Sequence, residues 1–545
     1  MNKPFATVLD TGTSLCNKTG TWRTMRPEYV RRLPPCNATC PAGENIQLWL
    51  SLVEERKFRE AWETMVKDNP FPAVMGRVCY HSCEKTCNRT QFDGAVNINL
   101  IEKSIGDMAI ANDWSFETPM ETRRKKILII GSGPSGLTAA YFLRKLGYEV
   151  TIQETHIKPG GMMRYGVPRY RLSNSIIDAE IKRITDLGVK IICNKKVQCL
   201  KDELPRFDAI YIATGAHRAA KATMEVKAGS SILDAIDLFR KLEDSPSNLP
   251  NLGRKVVVYG GGNSAIDAAR TALRLGAENV QMLYRRTIHN MSAHESEVQS
   301  ALAEGVIISC LRTINTVDGD KILVDRMDYD DESGILSTTG ETEVIYADSV
   351  ICAIGQSIDE GIFSGLDGIK ISEKGVIEVD ERMMTGVSGV FAGGDVIMGK
   401  RTVTHAIGHG KKAAGCIDAH LRGVKIQPNS KGTIANFKKL NTDYYKKSPR
   451  GPNPRDKLFG DHTKETSFEE AEVSYSEEEF VTEAARCFSC GNCFHCDNCY
   501  GYCPDNAIRK HPDGSLEIDY DYCKGCGVCV AECPCGSMQM LSDEK

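Results

Sequence analysis

No stretch of this sequence approaches the roughly 18 consecutive apolar residues of a membrane-spanning helix, and Met1 to Cys16 lack the apolar centre of a signal segment. A soluble, cytoplasmic protein is expected. Charge of one sign is not in excess: 68 basic residues face 72 acidic ones, a net of −4, which leaves no electrostatic case for nucleic acid. There is no short-period repeat of the solenoid kind. Charged residues make up 26% and apolar ones 41%, values that exclude a disordered, collagen-like or coiled-coil chain. The length of 545 residues predicts three or four domains of roughly 150 residues each.

One scarcity is local. Only five of the 22 cysteines, Cys193, Cys199, Cys310, Cys352 and Cys416, lie between Cys87 and Cys487. They are too scattered for a redox pair and read as buried structural thiols. Six cysteines precede this interval and eleven follow it. In a large chain, cysteines gathered at the ends point to metal rather than to a disulfide scaffold.

The interval itself has a strand–helix rhythm. Residues 126–130 form a short apolar strand, residues 136–146 a helix and residues 149–153 the next strand. A second unit begins with a strand at 255–259, followed by a helix at 265–275 and a strand at 280–284. Such alternation predicts parallel, doubly wound sheets. Ahead of it, Ile46, Leu48, Trp49, Leu52, Val53, Phe58, Ala61 and Trp62 have helical spacing and predict a core-facing helix. The charged run Arg123 to Lys126 reads as a solvated boundary. The pattern ends near Val424; residues 425–485 are polar, with Pro and Gly around 449–454 and an acidic run at Glu477–Glu479, and read as a linker arm.

Gly131-Ser132-Gly133-Pro134-Ser135-Gly136 follows the first strand and opens the first helix. The first glycine permits the tight turn and the second admits a pyrophosphate. The third lets helix and strand pack closely, with the helix N-terminus facing the negative charge. Glu154 ends the next strand, where an acid binds ribose hydroxyls. The second fingerprint, Gly260-Gly261-Gly262-Asn263-Ser264-Ala265, follows the strand at 255–259. Its next strand ends in Arg285-Arg286 instead of an acid, as recognition of the 2′-phosphate of NADP requires. Two such units predict FAD plus NADP or NAD.

Near the C-terminus, Cys493, Cys496, Cys499 and Cys503-Pro504 repeat as Cys523, Cys526, Cys529 and Cys533-Pro534. This is the two-cluster ferredoxin spacing, in which the fourth cysteine of each run ligates the other cluster. One 4Fe-4S cluster is therefore expected on Cys493, Cys496, Cys499 and Cys533, the other on Cys523, Cys526, Cys529 and Cys503. Zinc also accepts four cysteines, but two interlocked runs favour iron–sulfur.

With Val390-Phe391-Ala392-Gly393-Gly394-Asp395 the sequence resembles the two-dinucleotide-binding flavoprotein oxidoreductases. The resemblance implies that Asp395 binds the ribityl chain of FAD and that Ala213-Thr214-Gly215 and Ala353-Ile354-Gly355 cross between domains. It also implies that Thr402-Val403 meets the flavin ring. Gly161 and Gly394 are counted with the cofactor-binding residues. His405 and His409 follow the flavin segment and read as structural. Over residues 34–424 the chain resembles the small subunit of glutamate synthase, and its front end that of dihydropyrimidine dehydrogenase. The resemblance rests on Cys36-x3-Cys40-Pro41, Asn69-Pro70, Gly76-Arg77-Val78-Cys79, Cys83-Glu84, Cys87, Tyr165-Gly166-Val167-Pro168 and Tyr284-Arg285-Arg286.

That family's N-terminal helical domain holds two 4Fe-4S clusters, one completed by a Gln or Glu. Matching Asn97-Ile98 puts Glu102 there, with Cys40, Cys79 and Cys83. The family's upstream Arg-Cys-x-x-Cys-Gly segment is missing before Cys36 and reappears as Arg486-Cys487-Phe488-Ser489-Cys490-Gly491. One cluster on Cys36, Cys87, Cys487 and Cys490, within one chain or between two, would complete four clusters. The added terminal domain is similar to the delta subunit of pyruvate:ferredoxin oxidoreductase. It makes the whole more like the flavoprotein of dissimilatory sulfite reductase and the NAD(P)-linked subunits of 2-oxoacid:acceptor oxidoreductases.

The expected architecture is therefore α/β, with two Rossmann-like domains between a helical iron–sulfur domain and an α+β ferredoxin domain. Its boundaries fall at 1–120 (helical), 121–252 and 351–424 (FAD), 253–350 (NAD(P)), 425–485 (linker) and 486–545 (ferredoxin). The expected function is NAD(P)H:acceptor oxidoreduction as part of a hetero-oligomeric complex with a protein redox partner, with no catalytic side chain required. Two alternatives are a glutamate synthase small subunit and a non-enzymatic iron–sulfur wire or assembly subunit.

Overall fold

The computed structural model describes residues 18–119, 122–220, 223–245, 248–363, 366–426, 432–451, 467–470 and 474–543; Cys16 lies outside them. Two five-stranded parallel sheets fill the middle of the chain. The first is ordered Val390–Ala392, Ala209–Ile212, Lys126–Ile130, Glu149–Gln153, Lys190–Ile192. Its central strand, Lys126–Ile130, is buried from Ile127 onward, which is why it reads as an unbroken apolar run and not an alternating one.

The second sheet is ordered Ile307–Cys310, Asn279–Tyr284, Lys255–Tyr259, Ser349–Cys352, Ile232–Asp234. It corrects the boundary at 253. Ile232–Asp234 is its edge strand, and the helix Ala235–Asp244 packs into its core through Leu238 and Phe239. A three-residue edge strand is too short to leave a periodic signature. An antiparallel sheet, Leu336–Tyr346, Lys321–Tyr329, Arg312–Asp318 and Glu225–Val226, completes this domain. The two domains are joined where Arg218–Ala219 pairs with Gln356–Ser357.

The helical stripe at 46–62 is two helices, Ile46–Glu54 and Phe58–Val66, split at Arg56, whose φ is 57°. Leu48 points outward, 41% exposed, while Trp49 and Trp62 are buried. Trp62 stacks on Phe116, and Phe116 meets Tyr141 of the first Rossmann-like domain at 4.7 Å. The Tyr141 hydroxyl donates to Val66 O at 2.7 Å.

The first described residues do not join this helical unit. Met25–Tyr29 pairs antiparallel with Met538–Ser542 and so adds a strand to the terminal domain. The expected linker is also structured in part. Leu33 and Thr433–Ala435 exchange backbone hydrogen bonds, and the acidic run forms the first turn of a helix, Glu477–Ala484. A Ser476–Glu479 capping box begins that helix, where acids offset the helix dipole. Its Phe480 meets Phe58 at 5.3 Å. Among the described residues no helix is long and apolar enough to cross a membrane.

Candidate functional site

Gly131 stands at φ 103°, and a Cβ there would lie 2.5 Å from Ala213 O; one on Gly136 would lie 2.0 Å from Gly131 O. The first glycine therefore turns the chain and the third seats the helix Pro134–Lys145 on it. That helix has no side-chain cap, so its N-terminal dipole end meets the cleft without a competing oxygen. Glu154 braces the loop by accepting from Ser132 N at 2.8 Å, from Ser132 Oγ at 2.5 Å and from His156 N at 2.8 Å.

The second loop repeats the construction. Gly260 has φ 150° and a Cβ there would lie 2.4 Å from Ala353 O. The helix Asn263–Arg274 again lacks a side-chain cap, and Asn263 Oδ1 instead accepts from His294 N at 2.8 Å.

Both loops open on one cleft of about 960 Å³, at the upper end of ligand-site volumes. Gly131, Gly133, Pro134, Ser135, Glu154, Gly161, Thr214 and Gly215 line one part. Gly260, Gly262, Asn263, Ser264, Arg285 and Arg286 line another, with Gly355, Gly394, Asp395, Thr402 and Val403 between. Gly136 and Ala265 do not reach it; Ala265 is fully buried and, like Gly136, packs its helix. Arg286 Nε is buried without a hydrogen-bond partner, and its guanidinium lies 5.9 Å from the Tyr329 ring centroid. An orphaned cationic donor in a cleft fits an anionic ligand group.

Burial pushes Asp395 up to about 6, against the pull of Arg401, and pushes His217 down to about 4. The two histidines of the flavin segment are satisfied: His405 Nδ1 pairs with Thr402 Oγ1 at 2.7 Å, and His409 Nδ1 accepts from Gly394 N at 3.2 Å. Of the five isolated thiols only Cys352 and Cys416 are buried; Cys193, Cys199 and Cys310 are half-buried. Their strands and loops lie near the edges of the sheets, which the sequence interval does not disclose.

One helix, Val403–Arg422, connects the cleft to the cysteines. At Gly410 a Cβ would lie 2.3 Å from Ser135 O, and at Gly408 one would lie 2.1 Å from Pro41 O. The helix is pressed on one side against the first glycine loop's helix and on the other against the Cys40-Pro41 turn. The sequence reading missed this; the signal was a Gly-x-Gly inside a helical stretch, where glycine costs stability unless something must approach closely. A Gly410→Ala variant is expected to move this helix off Ser135 and to be isolated with well under half the parent's bound flavin, measured as flavin absorbance per chain.

Beside that helix stand Cys40, Cys79, Cys83 and Glu102. Thr404 Oγ1 donates to Cys79 Sγ at 3.4 Å, and Val78 and Tyr80 line the cleft. Burial pushes the Glu102 carboxyl well above its usual range, with Glu44 and Cys79 adding to it. Asn69 Nδ2 donates to Glu102 at 2.9 Å and to Glu44 at 3.0 Å. Glu44, a second buried carboxylate beside Cys40, was absent from the sequence reading; it follows the Cys40–Gly43 turn with no motif to mark it.

In the terminal domain, burial pushes the Cys499 thiol up to about 11, with Cys493, Cys533 and Cys496 adding to it and the Tyr29 hydroxyl opposing. Burial and then Cys503 and Cys523 push Cys529 up to about 12. Cys503, Cys523, Cys526 and Cys529 surround a small cavity. Each run thus has the fourth cysteine of the other beside it. Cys36, Cys87, Cys487 and Cys490 surround another small cavity. Cys535, which the sequence reading left unassigned, lies with its Sγ 3.9 Å from Cys533 Sγ. Among the described residues no three His, Cys, Asp or Glu side chains converge on a single metal ion. The donor chemistry fits iron–sulfur clusters: soft thiols in fours, with backbone N–H groups aimed at sulfur from Ala507 to Cys503 at 3.2 Å and from Ser489 to Cys487 at 3.4 Å.

Three families match parts of the chain: pyridine nucleotide-disulphide oxidoreductases over residues 125–410, dihydropyrimidine dehydrogenase domain II with a 4Fe-4S cluster over 31–114, and the 4Fe-4S dicluster domain over 492–537. The chain is 35% identical to NADP(+)-dependent formate dehydrogenase subunit beta of Moorella thermoacetica, over 72% of this chain and 61% of that one. It is 30% identical to NADPH-Fe(3+) oxidoreductase subunit beta of Geobacter sulfurreducens, over 84% and 75%. It is 33% identical to the glutamate synthase (NADPH) small chain of Azospirillum brasilense, over 73% and 88%. It therefore spans under two thirds of the length of the formate dehydrogenase subunit.

Proposed function

The chain belongs to the pyridine nucleotide-disulphide oxidoreductase family, as an iron–sulfur flavoprotein with 4Fe-4S domains at both ends, and we propose from that membership that it carries electrons between NADPH and a protein partner. Held by the first glycine loop, Asp395 and Thr402-Val403, FAD would supply the conversion between the two-electron hydride chemistry of NADPH and the one-electron chemistry of the clusters.

The residues of this chain hold and align. The glycine loops receive the two pyrophosphates. Arg285 and Arg286 take the 2′-phosphate, the choice that the NADP-linked names of the relatives also favour. Thr402 and Val403 bear on the flavin ring. Tyr80, next to Cys79, stacks on His294 at 5.1 Å and ties the helical domain to the NADPH loop. The single observation that carries the reading is the helix Val403–Arg422, which packs against Ser135 at Gly410 and against Pro41 at Gly408, and whose Thr404, next to Thr402-Val403, donates to Cys79 Sγ at 3.4 Å.

From there the thiol groups follow in series. Cys83 lies near Cys79 and Cys40 and also near Cys36; Tyr445 lies near Cys490 and Cys487 and also near Cys533; and Cys529 has Cys499 as well as Cys503 for a neighbour. Cys40, Cys79, Cys83 and Glu102 hold the cluster nearest the flavin, and the two ferredoxin runs hold the last pair. Cys493, Cys496 and Cys526 are exposed, and the partner docks on this terminal domain. A 2-oxoacid oxidoreductase, a dissimilatory sulfite reductase or a formate-oxidising subunit suits that role. A glutamate synthase small chain has no need of the terminal ferredoxin domain, which disfavours that reading.

Protein prepared and assayed without oxygen is expected to reduce a viologen dye with NADPH as donor. Absence of turnover with both NADPH and NADH, in protein carrying full flavin, would overturn the reading.

A further inference from the structure

Cys36, Cys87, Cys487 and Cys490 come from opposite ends of the chain and surround one small cavity, walled on the remaining sides by apolar and amide groups such as Leu50, Val96 and Gln47. Cys487 and Cys490 lie outside every matched family segment, between the one that ends at 410 and the one that begins at 492.

The convergence is built in detail. Arg486, 4% exposed, enters the N-terminal domain and donates to Gly94 O at 2.7 Å, Ala95 O at 3.2 Å and Glu483 at 2.5 Å. Its own carbonyl accepts from Arg89 Nη1 at 2.5 Å. Two residues on, Phe488 is buried and held between Phe92 at 5.6 Å and Tyr445 at 4.4 Å. Ser489 turns the loop at φ 49° and Gly491 at φ 75°; a Cβ on Gly491 would lie 2.6 Å from Arg32. These restraints aim both thiols inward.

Donors then face sulfur from both ends: Asn88 Nδ2 to Cys490 at 3.3 Å and Ser489 N to Cys487 at 3.4 Å. Cys36 is buried with Cys487, Cys87 and Cys490 as its neighbours. Four thiols forced together, none in a disulfide and with amide donors aimed at sulfur, suit four thiolates whose charge is shared with a metal cluster.

We infer that Cys36, Cys87, Cys487 and Cys490 ligate one 4Fe-4S cluster, two ligands from each end of the same chain. The inference rests on the electron-transfer reading for its use but not for its existence. The cluster stands between the Cys79 group and the ferredoxin pair and makes the connection a single series.

Iron in anaerobically prepared protein is expected at about sixteen per chain, four for each cube. Cys36→Ala and Cys487→Ala, made separately, are each expected to lose about four irons and about one electron in reductive titration, with loss of the same low-temperature EPR signal. The variant carrying both is expected to lose no more than either alone, because the two ligands serve one cluster. About twelve irons in the parent would overturn the inference, as would losses that add in the double variant or no loss in either single variant. If no variant folds, the parent's iron and electron counts decide. Failure of NADPH to reduce the parent would tell against the function alone and leave the iron count standing.

Discussion

A Gly260→Val variant keeps its flavin and loses its response to NADPH. At φ 150°, with Ala353 O 2.4 Å from where a Cβ would lie, the loop cannot accept a branched side chain without moving both itself and the crossover strand beside it. The loss expected of the NADPH-driven rate of flavin reduction is roughly a thousandfold, about 4 kcal/mol. The first glycine loop stands in the other domain and is untouched, so flavin absorbance and reduction by dithionite stay at the parent's level. Stopped-flow reduction under argon measures both. Reduction by NADPH at the parent's rate would mean that the nucleotide does not use this loop.

Replacing Arg285 and Arg286 together with serine separates the two nicotinamide cofactors. Each arginine offers a charge-assisted hydrogen bond of about 1.5–3 kcal/mol, so removing both is expected to raise KM for NADPH by at least about a hundredfold. NADH has no 2′-phosphate, and its KM should move by less than about threefold on the same scale. The buried, unpartnered Nε of Arg286 makes Arg286 the larger contributor, which the two single variants would show. Equal effects on both cofactors would assign the pair to some other contact.

The parts of this protein that were legible in its sequence are those whose geometry is written in neighbouring residues. A glycine loop between a strand and a helix, or four cysteines within eleven positions, specifies its own backbone. The strands Lys126–Ile130, Glu149–Gln153 and Lys255–Tyr259 have the bounds read from the sequence, because buried parallel strands are continuous apolar runs closed by glycine or charge. What was not legible depends on partners far away in sequence. Ile232–Asp234 is a strand only because Ser349–Cys352 lies beside it. The break at Arg56 lies inside a stripe whose spacing alone predicts one helix. Glu44 is buried with Glu102 because Asn69 reaches both, and no local pattern announces that. Gly408 and Gly410 look like weak points of a helix until the backbones of Pro41 and Ser135 are seen against them.

The strand Met25–Tyr29, lying against Met538–Ser542, sets a timetable for biosynthesis. The ion pair Lys18–Asp521 joins residues 503 positions apart. At about 5–20 residues per second, the N-terminal strand leaves the ribosome roughly 25–100 s before its pairing partner exists. The Rossmann-like domains can fold in that interval. The terminal ferredoxin unit cannot be finished until Met538–Ser542 has been made, so a chain that stalls near residue 480 would hold its nucleotide folds but lack the terminal iron–sulfur unit. Fusions or tags placed close to either strand would obstruct a late step, whereas insertions in the long exposed hairpin of Lys321–Tyr329 and Leu336–Tyr346 would be carried by a part that has already folded.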